Sequence, residues 1–272
     1  MNASYLSLSY WDVGLAGLFL VLNAGLSIWL RLGLARQIAV AAGRMVVQLL
    51  LIGLLLKAIF AIQSPWLTAG VGLAMIGFAS REVWARQERK LRGPWGFALG
   101  GAAMALAATL VIVVGLSALI QPQPWWSPRF ALPLFGMILG NALTGVSLAL
   151  DTLSATLDRE RRAVEAQLLL GATRWRALRP VTRRALRSGM MPIINSMAAT
   201  GVVSLPGMMS GQILSGVDPT EAVKYQLLIM FLIGGATGLG VLLAVLGGVR
   251  RLTDARHRLR LDRLRAASPE AG

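Results

Sequence analysis

Apolar positions along this chain fall into long, nearly unbroken runs, without the alternation of a half-buried strand or the one-sided stripe of a soluble helix. A helix needs about 20 apolar residues to cross the hydrocarbon core of a bilayer. By that measure the pattern predicts about seven spans: Trp11–Leu30, Met45–Ile62, Trp66–Val83, Phe97–Ile120, Phe130–Leu150, Met190–Leu214 and Gln226–Val249. A short Gln63-Ser64-Pro65 turn joins the second and third into a hairpin. The expected fold class is all-α, a polytopic helical membrane protein forming a single transmembrane domain over residues 1–272.

The polar positions between the runs carry a second pattern. No Lys or Arg precedes the first span, and Arg31, Arg36 and Arg44 follow it. The next turn has none, and then come Arg81, Arg86, Arg89, Lys90 and Arg92. The PQPWWSP loop has only Arg129, the segment 151–189 has nine arginines, Lys224 stands alone, and the tail 250–272 is basic again. Rich and poor loops alternate, which predicts an outside N-terminus and an inside C-terminus. Trp125 and Trp126 fit an interfacial aromatic belt, and Lys57 can snorkel from the end of its span.

Composition agrees. Hydrophobic residues make up 56% of the chain, charged residues 14%, and the mean hydropathy is +0.64. The formal charge of +15 lies between spans, so it reports orientation rather than nucleic acid as a partner. No cysteine is present and His257 is the single histidine, which leaves no disulfide, thiolate site or His-cluster metal site. The opening MNASYLSLSY lacks a basic region, so a cleavable signal peptide is not expected.

The segment 151–189 is amphipathic: Val164, Leu168, Leu169, Trp175, Leu178, Val181 and Leu186 recur at near-helical spacing among arginines. Gly171 permits a turn between two short helices. Such a segment can rest on anionic headgroups or dock on a partner. Glu165-Ala166, then Gly171-Ala172 and Arg174, resemble the EAA loop of ABC-transporter permeases, the coupling segment that docks on the nucleotide-binding subunit. Gln167 stands where that loop usually has Ala, and the Ile-x-Leu-Pro ending of the importers is absent. As a lever, this segment would plug a partner pocket with apolar side chains such as Trp175. Arg174 and Arg176 would contact its rim, and Glu165 would lie near a helix start, where the dipole favours it.

The stretch VSLPGMMSGQILSG, residues 203–216, interrupts the sixth run. Pro206 removes a backbone donor and Gly207 adds freedom, so a break is expected there. Breaks in lipid survive only against protein or a watery cavity, and transporters place sites at them. Pro206, Gly207, Met208, Met209, Ser210, Gly211 and Gln212 are therefore candidates for a translocation path or gate. The thioethers of Met208 and Met209 suit a soft ion, and they equally suit adaptable helix packing. Among ionisable groups, Asp12, Glu82 and Asp151 stand at span ends, where an interface solvates them. The amides of Asn23, Gln48 and Asn141 are expected to join helices.

With PGMMSGQILSGVDPTEAVKYQ (206–226) added, the chain resembles the FetB-like family of ABC permeases over nearly its whole length. That resemblance implies a partner ATPase, a permease homodimer, and export of a metal ion such as iron across the bacterial cytoplasmic membrane. Plant relatives are linked to aluminium tolerance. No G-x-x-x-x-G-K-[ST] loop occurs, so this chain is not expected to be an enzyme or to bind a cofactor. ATP and Mg would sit on the partner. Import, an organic solute, and an ATP-independent channel or scaffold remain as alternatives.

Overall fold

The computed structural model describes residues 9–265; the last residues of the basic tail, 266–272, lie outside that range. Among the described residues the protein is helical with no named strand. The elements are α1 (Tyr10–Trp29), α2 (Ala35–Ile62), α3 (Pro65–Arg86), α4 (Trp95–Val114), α5 (Pro128–Arg159), α6 (Arg161–Leu169), α7 (Arg174–Ala177), α8 (Arg179–Ala199), α9 (Gly207–Leu214) and α10 (Pro219–Arg251). Among the described residues five helices are long and apolar enough to cross a membrane: α1, α2, α4 with its extension to Ile120, α5 and α10. The extension is a single π-helical turn over Gly115–Ile120.

Local chemistry sets several of these ends. Ser9 and Asp12 form a reciprocal capping box that starts α1. Ser64 caps α3, whose first residue is Pro65, while Gln63 closes α2 in the left-handed region at φ 47°. Asp218 accepts N–H bonds from Thr220 (2.9 Å) and Glu221 (3.4 Å) to start α10. The Thr220 hydroxyl, which also donates to this carboxylate, and then those N–H bonds hold the Asp218 carboxyl below the usual carboxylate range.

α5 is the central element, with α3, α4, α8 and α10 packed around it. Where α5, α8 and α10 cross, backbone meets backbone. A Cβ added at Gly189 would stand 2.7 Å from the Ala149 side chain and 2.8 Å from the Gly145 carbonyl oxygen. A Cβ at Gly145 would meet the Gly189 carbonyl at 2.8 Å. Two backbones touch here because neither residue has a side chain, which is how small residues join helices in lipid. Ala185, Gly189 and Ile193 bury this face of α8. By contrast α1 and α2 pack on each other and make few contacts with the rest.

Three expectations are adjusted. α2 begins at Ala35, so Arg36 and Arg44 ride on a helix rather than a loop, and Arg44 pairs with Glu82 at 2.5 Å. The sixth run is not one helix: α8 starts back at Arg179 and stops at Ala199, and α9 is separate. Asn141 donates to the Met137 carbonyl (2.9 Å) one turn earlier in its own helix, and Asn23 and Gln48 face outward, so none of these amides joins two helices.

Candidate functional site

Two places hold the residues singled out from the sequence, and α8 connects them. The first is the corner between α5 and α8. α5 runs on past the apolar stretch to Arg159, Glu160 bends the chain, and α6 follows. Gly171 then adopts φ +87°, a conformation that L side chains rarely take, and reverses the chain as its sequence position predicts. Thr173 caps α7 by accepting the Arg176 N–H (3.4 Å). Val164, Leu178 and Val181 are buried against the bundle, with Leu168 and Leu186 packed beside them. Leu169 and Leu170 are each 88% exposed and project from the corner.

The corner corrects two expected roles. Glu165 is the fifth residue of α6, one turn in from its start, so the helix dipole has little hold on it. Its partner is Arg161, at 2.8 Å, and that bond holds the guanidinium above its usual range. Arg174 is not a free rim contact. Its backbone N–H donates to Nδ1 of His257 (3.2 Å) and its Nη1 to the Asp254 carbonyl (3.3 Å). Ala166, Ala172 and Arg176 lie on the corner, and Trp175 is 38% exposed beside the Arg174 guanidinium, 5.6 Å from its ring centre.

The C-terminal segment that meets Arg174 also crosses the loop between α3 and α4. Arg92 N–H donates to the Arg263 carbonyl (2.7 Å), Arg265 N–H donates to the Lys90 carbonyl (2.8 Å), and Leu91 lies antiparallel to Leu264. Asp254 accepts the Arg258 N–H at 2.8 Å, and this bond holds its carboxyl below the usual range. Glu88 N–H donates to Asp151 (3.0 Å), and Arg89 pairs with Asp158 at 2.7 Å. Asp12, Glu82 and Asp151 thus all serve helix ends and joints.

The second place is the break after α8. Thr200 donates through Oγ1 to the Ser196 carbonyl (2.7 Å), and Gly201 turns at φ +94° with its N–H on Ser204 (2.9 Å). Val203 and Ser204 N–H groups return to the Ala199 carbonyl (3.0 and 3.1 Å). The N–H groups of Thr200, Gly201, Val203 and Ser204 thus find acceptors within the turn, which lowers the cost of a break in an apolar setting. The break lies at 200–205, upstream of the Pro-Gly pair. Pro206 is the residue before α9 and Gly207 its first, so the pair starts a helix rather than bending one.

α9 brings Met208 and Gln212 to a cavity of about 300 Å³, enclosed by the beginnings of α5 and α10. Pro133 and Met137 of α5 and Tyr225 and Ile229 of α10 form the opposite wall, with Arg129 beside them. The Gln212 Oε1 is buried with no hydrogen-bond partner. Met209 and Gly211 do not line this cavity, and Ser210 turns its hydroxyl to the Pro206 carbonyl (3.2 Å). Met137, Tyr225 and Arg129 carried no local signal, since their grouping arises only when three separate helices meet. Among the described residues no three His, Asp or Glu side chains converge to hold a metal. The donors available to a cargo in the cavity are thioethers, an amide oxygen and a phenol.

At about 1.5 Å per residue, the 21 residues of α8 separate the corner from the break by roughly 30 Å. The corner and the cavity are at opposite ends of the bundle, joined by one helix locked against α5 and α10.

Comparison with known proteins gives this arrangement a family context. The model described as "Uncharacterised protein family (UPF0014)" matches residues 10–253. UPF0014 membrane protein slr1647 of Synechocystis sp. is 37% identical over 82% of this chain and 84% of its own length. The probable iron export permease protein FetB of Escherichia coli (strain K12) is 31% identical over 86% of this chain and 88% of its own. Protein ALUMINUM SENSITIVE 3 of Arabidopsis thaliana is 32% identical over 76% and 74%. No solved structure matches.

Proposed function

The chain belongs to the UPF0014 family, and from that membership and its geometry we propose that it is the transmembrane permease subunit of an ATP-driven ABC transporter. In this reading it exports metal ions, iron among them, from the cytoplasm across the bacterial inner membrane. It acts as a homodimer with a separate ATPase that holds ATP and Mg. Seven crossings follow if α3 and the broken α8–α9 pair join the five long helices. The 22 residues of α3 give a length of about 33 Å, enough for the hydrocarbon core. The N-terminus is then outside and the corner and tail inside.

One observation carries the proposal. Leu169 and Leu170 project, 88% exposed, from a corner fixed by Gly171, at the end of α6 and just before the α7–α8 segment that leads to the break. Solvent exposure of two adjacent leucines costs the chain free energy that burial in a partner groove recovers. The corner thereby becomes a handle. When the ATPase subunits close, the handle moves, and α8 carries that motion to the 200–205 turn and α9. The side chains of Met208 and Gln212 then leave or enter the cavity wall, which alternates access to the path.

Capture of the permease by a phosphate-loop ATPase from the same genome tests this directly. Glu165→Arg and Gly171→Arg should abolish capture, the first by reversing the charge that holds Arg161 and the second by forbidding the turn. Undiminished capture of both variants would sink the coupling assignment.

A further inference from the structure

The face of α8 turned to the bundle carries Val181, Ala185, Gly189 and Ile193, all buried. Offset from these by two residues, a rotation of about 200° on a helix, Arg179, Arg183 and Arg187 recur at every fourth position and are exposed. With Trp175 and Arg184 they line an open groove of about 820 Å³. Glu160 pairs with Arg184, while Arg179, Arg183 and Arg187 have no carboxylate partner among the described residues.

This arrangement works against the helix that carries it. Like charges four residues apart destabilise a helix by a few tenths of a kcal/mol per pair. The first turn is the positive end of the dipole, where cations are unfavourable, and Leu178 supplies no side-chain cap there. Among the described residues only Glu160, on Arg184, offsets any of this charge, and Arg179, Arg183 and Arg187 are left for a charge from outside the bundle.

We propose that this groove is a binding site for a phosphate group or another multivalent oxyanion. Arginine forks match tetrahedral and planar oxyanions with paired N–H donors, and the Trp175 ring closes one side with its apolar body. α8 turns apolar at Gly189, immediately after the last of the three arginines, which sets the groove at headgroup depth in the bilayer. A lipid headgroup and a soluble phosphate compound present the same chemistry at that level. An anion bound there would neutralise the start of the helix that joins the corner to the break.

The test uses the full-length permease in non-ionic detergent, melted with sodium pyrophosphate against sodium chloride at matched ionic strength. Pyrophosphate should raise the Tm by about 2 °C or more. The Arg183→Gln/Arg187→Gln double variant should lose that shift and melt no lower than the wild type in chloride, because its repulsion is relieved. Arg36→Gln, which removes an exposed arginine on α2, should keep the full shift. In nanodiscs of phosphatidylcholine the response should persist. Loss of the response when phosphatidylglycerol is added assigns the site to a lipid headgroup, and persistence assigns it to a soluble anion; both outcomes support an oxyanion site. No shift in the wild type, or an equal shift in the double variant, overturns the proposal. So does a wild type indifferent to both probes whose double variant instead loses capture by the ATPase, since the groove would then face an acidic protein surface.

Discussion

α1 and α5 are equally hydrophobic over their most apolar stretches, yet 6% of that stretch is buried in α1 and 61% in α5. Hydropathy therefore says which segments suit a bilayer and nothing about which of them hold the molecule together. The difference lies in the small residues. Gly145 and Gly189 let α5 and α8 touch backbone to backbone, whereas Gly14, Gly17 and Gly25 of α1 face open space. In lipid, where no hydrophobic gain accompanies helix contact, close packing of this kind is the main adhesive.

The sharpest way to break that comparison is to add the same side chain to both regions. Gly189→Leu drives a branched side chain into a carbonyl and two neighbouring helices, and should cost at least about 3 kcal/mol, or prevent folding. Gly17→Leu should change stability by no more than about 0.5 kcal/mol. Thermal unfolding of both variants in one detergent checks the pair. Comparable losses would mean that α1 packs on something beyond the chain.

Exposed leucines in the two regions should differ in the opposite sense. Those of α1 lie within an apolar helix suited to lipid, while Leu169 and Leu170 lie among arginines. Leu169→Asp with Leu170→Asp should weaken ATPase binding by at least about 2 kcal/mol, roughly 30-fold in Kd, and leave the melting temperature in place. Leu15→Asp should do the reverse, lowering insertion into membranes without touching ATPase affinity.

A smaller effect is expected at the cavity. Gln212→Leu removes a buried acceptor that has no partner, and should raise stability by about 1 kcal/mol while slowing transport. Stability lowered by this change would mean that the amide is bonded in the assembled transporter. The smallest effect concerns pH. The Asp254 carboxyl is held below its usual range, first by the Arg258 N–H bond, so its contribution to the tail is present above the unfolded pKa. That contribution is lost as pH falls through the lowered folded value. Hydrogen exchange at residues 253–265 should quicken on acidification, and Asp254→Asn should reduce the pH dependence to the part that Asp262, held low by the Arg260 guanidinium, contributes.

Much of this architecture is legible in the sequence because it is local. The five long apolar helices, the Gln63-Ser64-Pro65 turn and the Gly171 reversal each rest on neighbouring residues. The position of the break is not, since Gly201-Val202-Val203 reads as apolar as the helix before it, and only the return of N–H groups to Ala199 separates them. The role of Arg174 depends on His257 and Asp254, about eighty residues away. The cavity joins Met137, Gln212 and Tyr225 from three helices. Glu165 stands one turn inside its helix because α6 begins at Arg161, before the motif.

The measurement that bears most directly on the proposed function is metal efflux from proteoliposomes holding the permease with its ATPase. Iron release should require ATP hydrolysis and fall at least tenfold when Leu169 and Leu170 are both changed to Asp. Release at the full rate without ATP, or undiminished in that variant, would contradict a corner that couples a partner ATPase to the path.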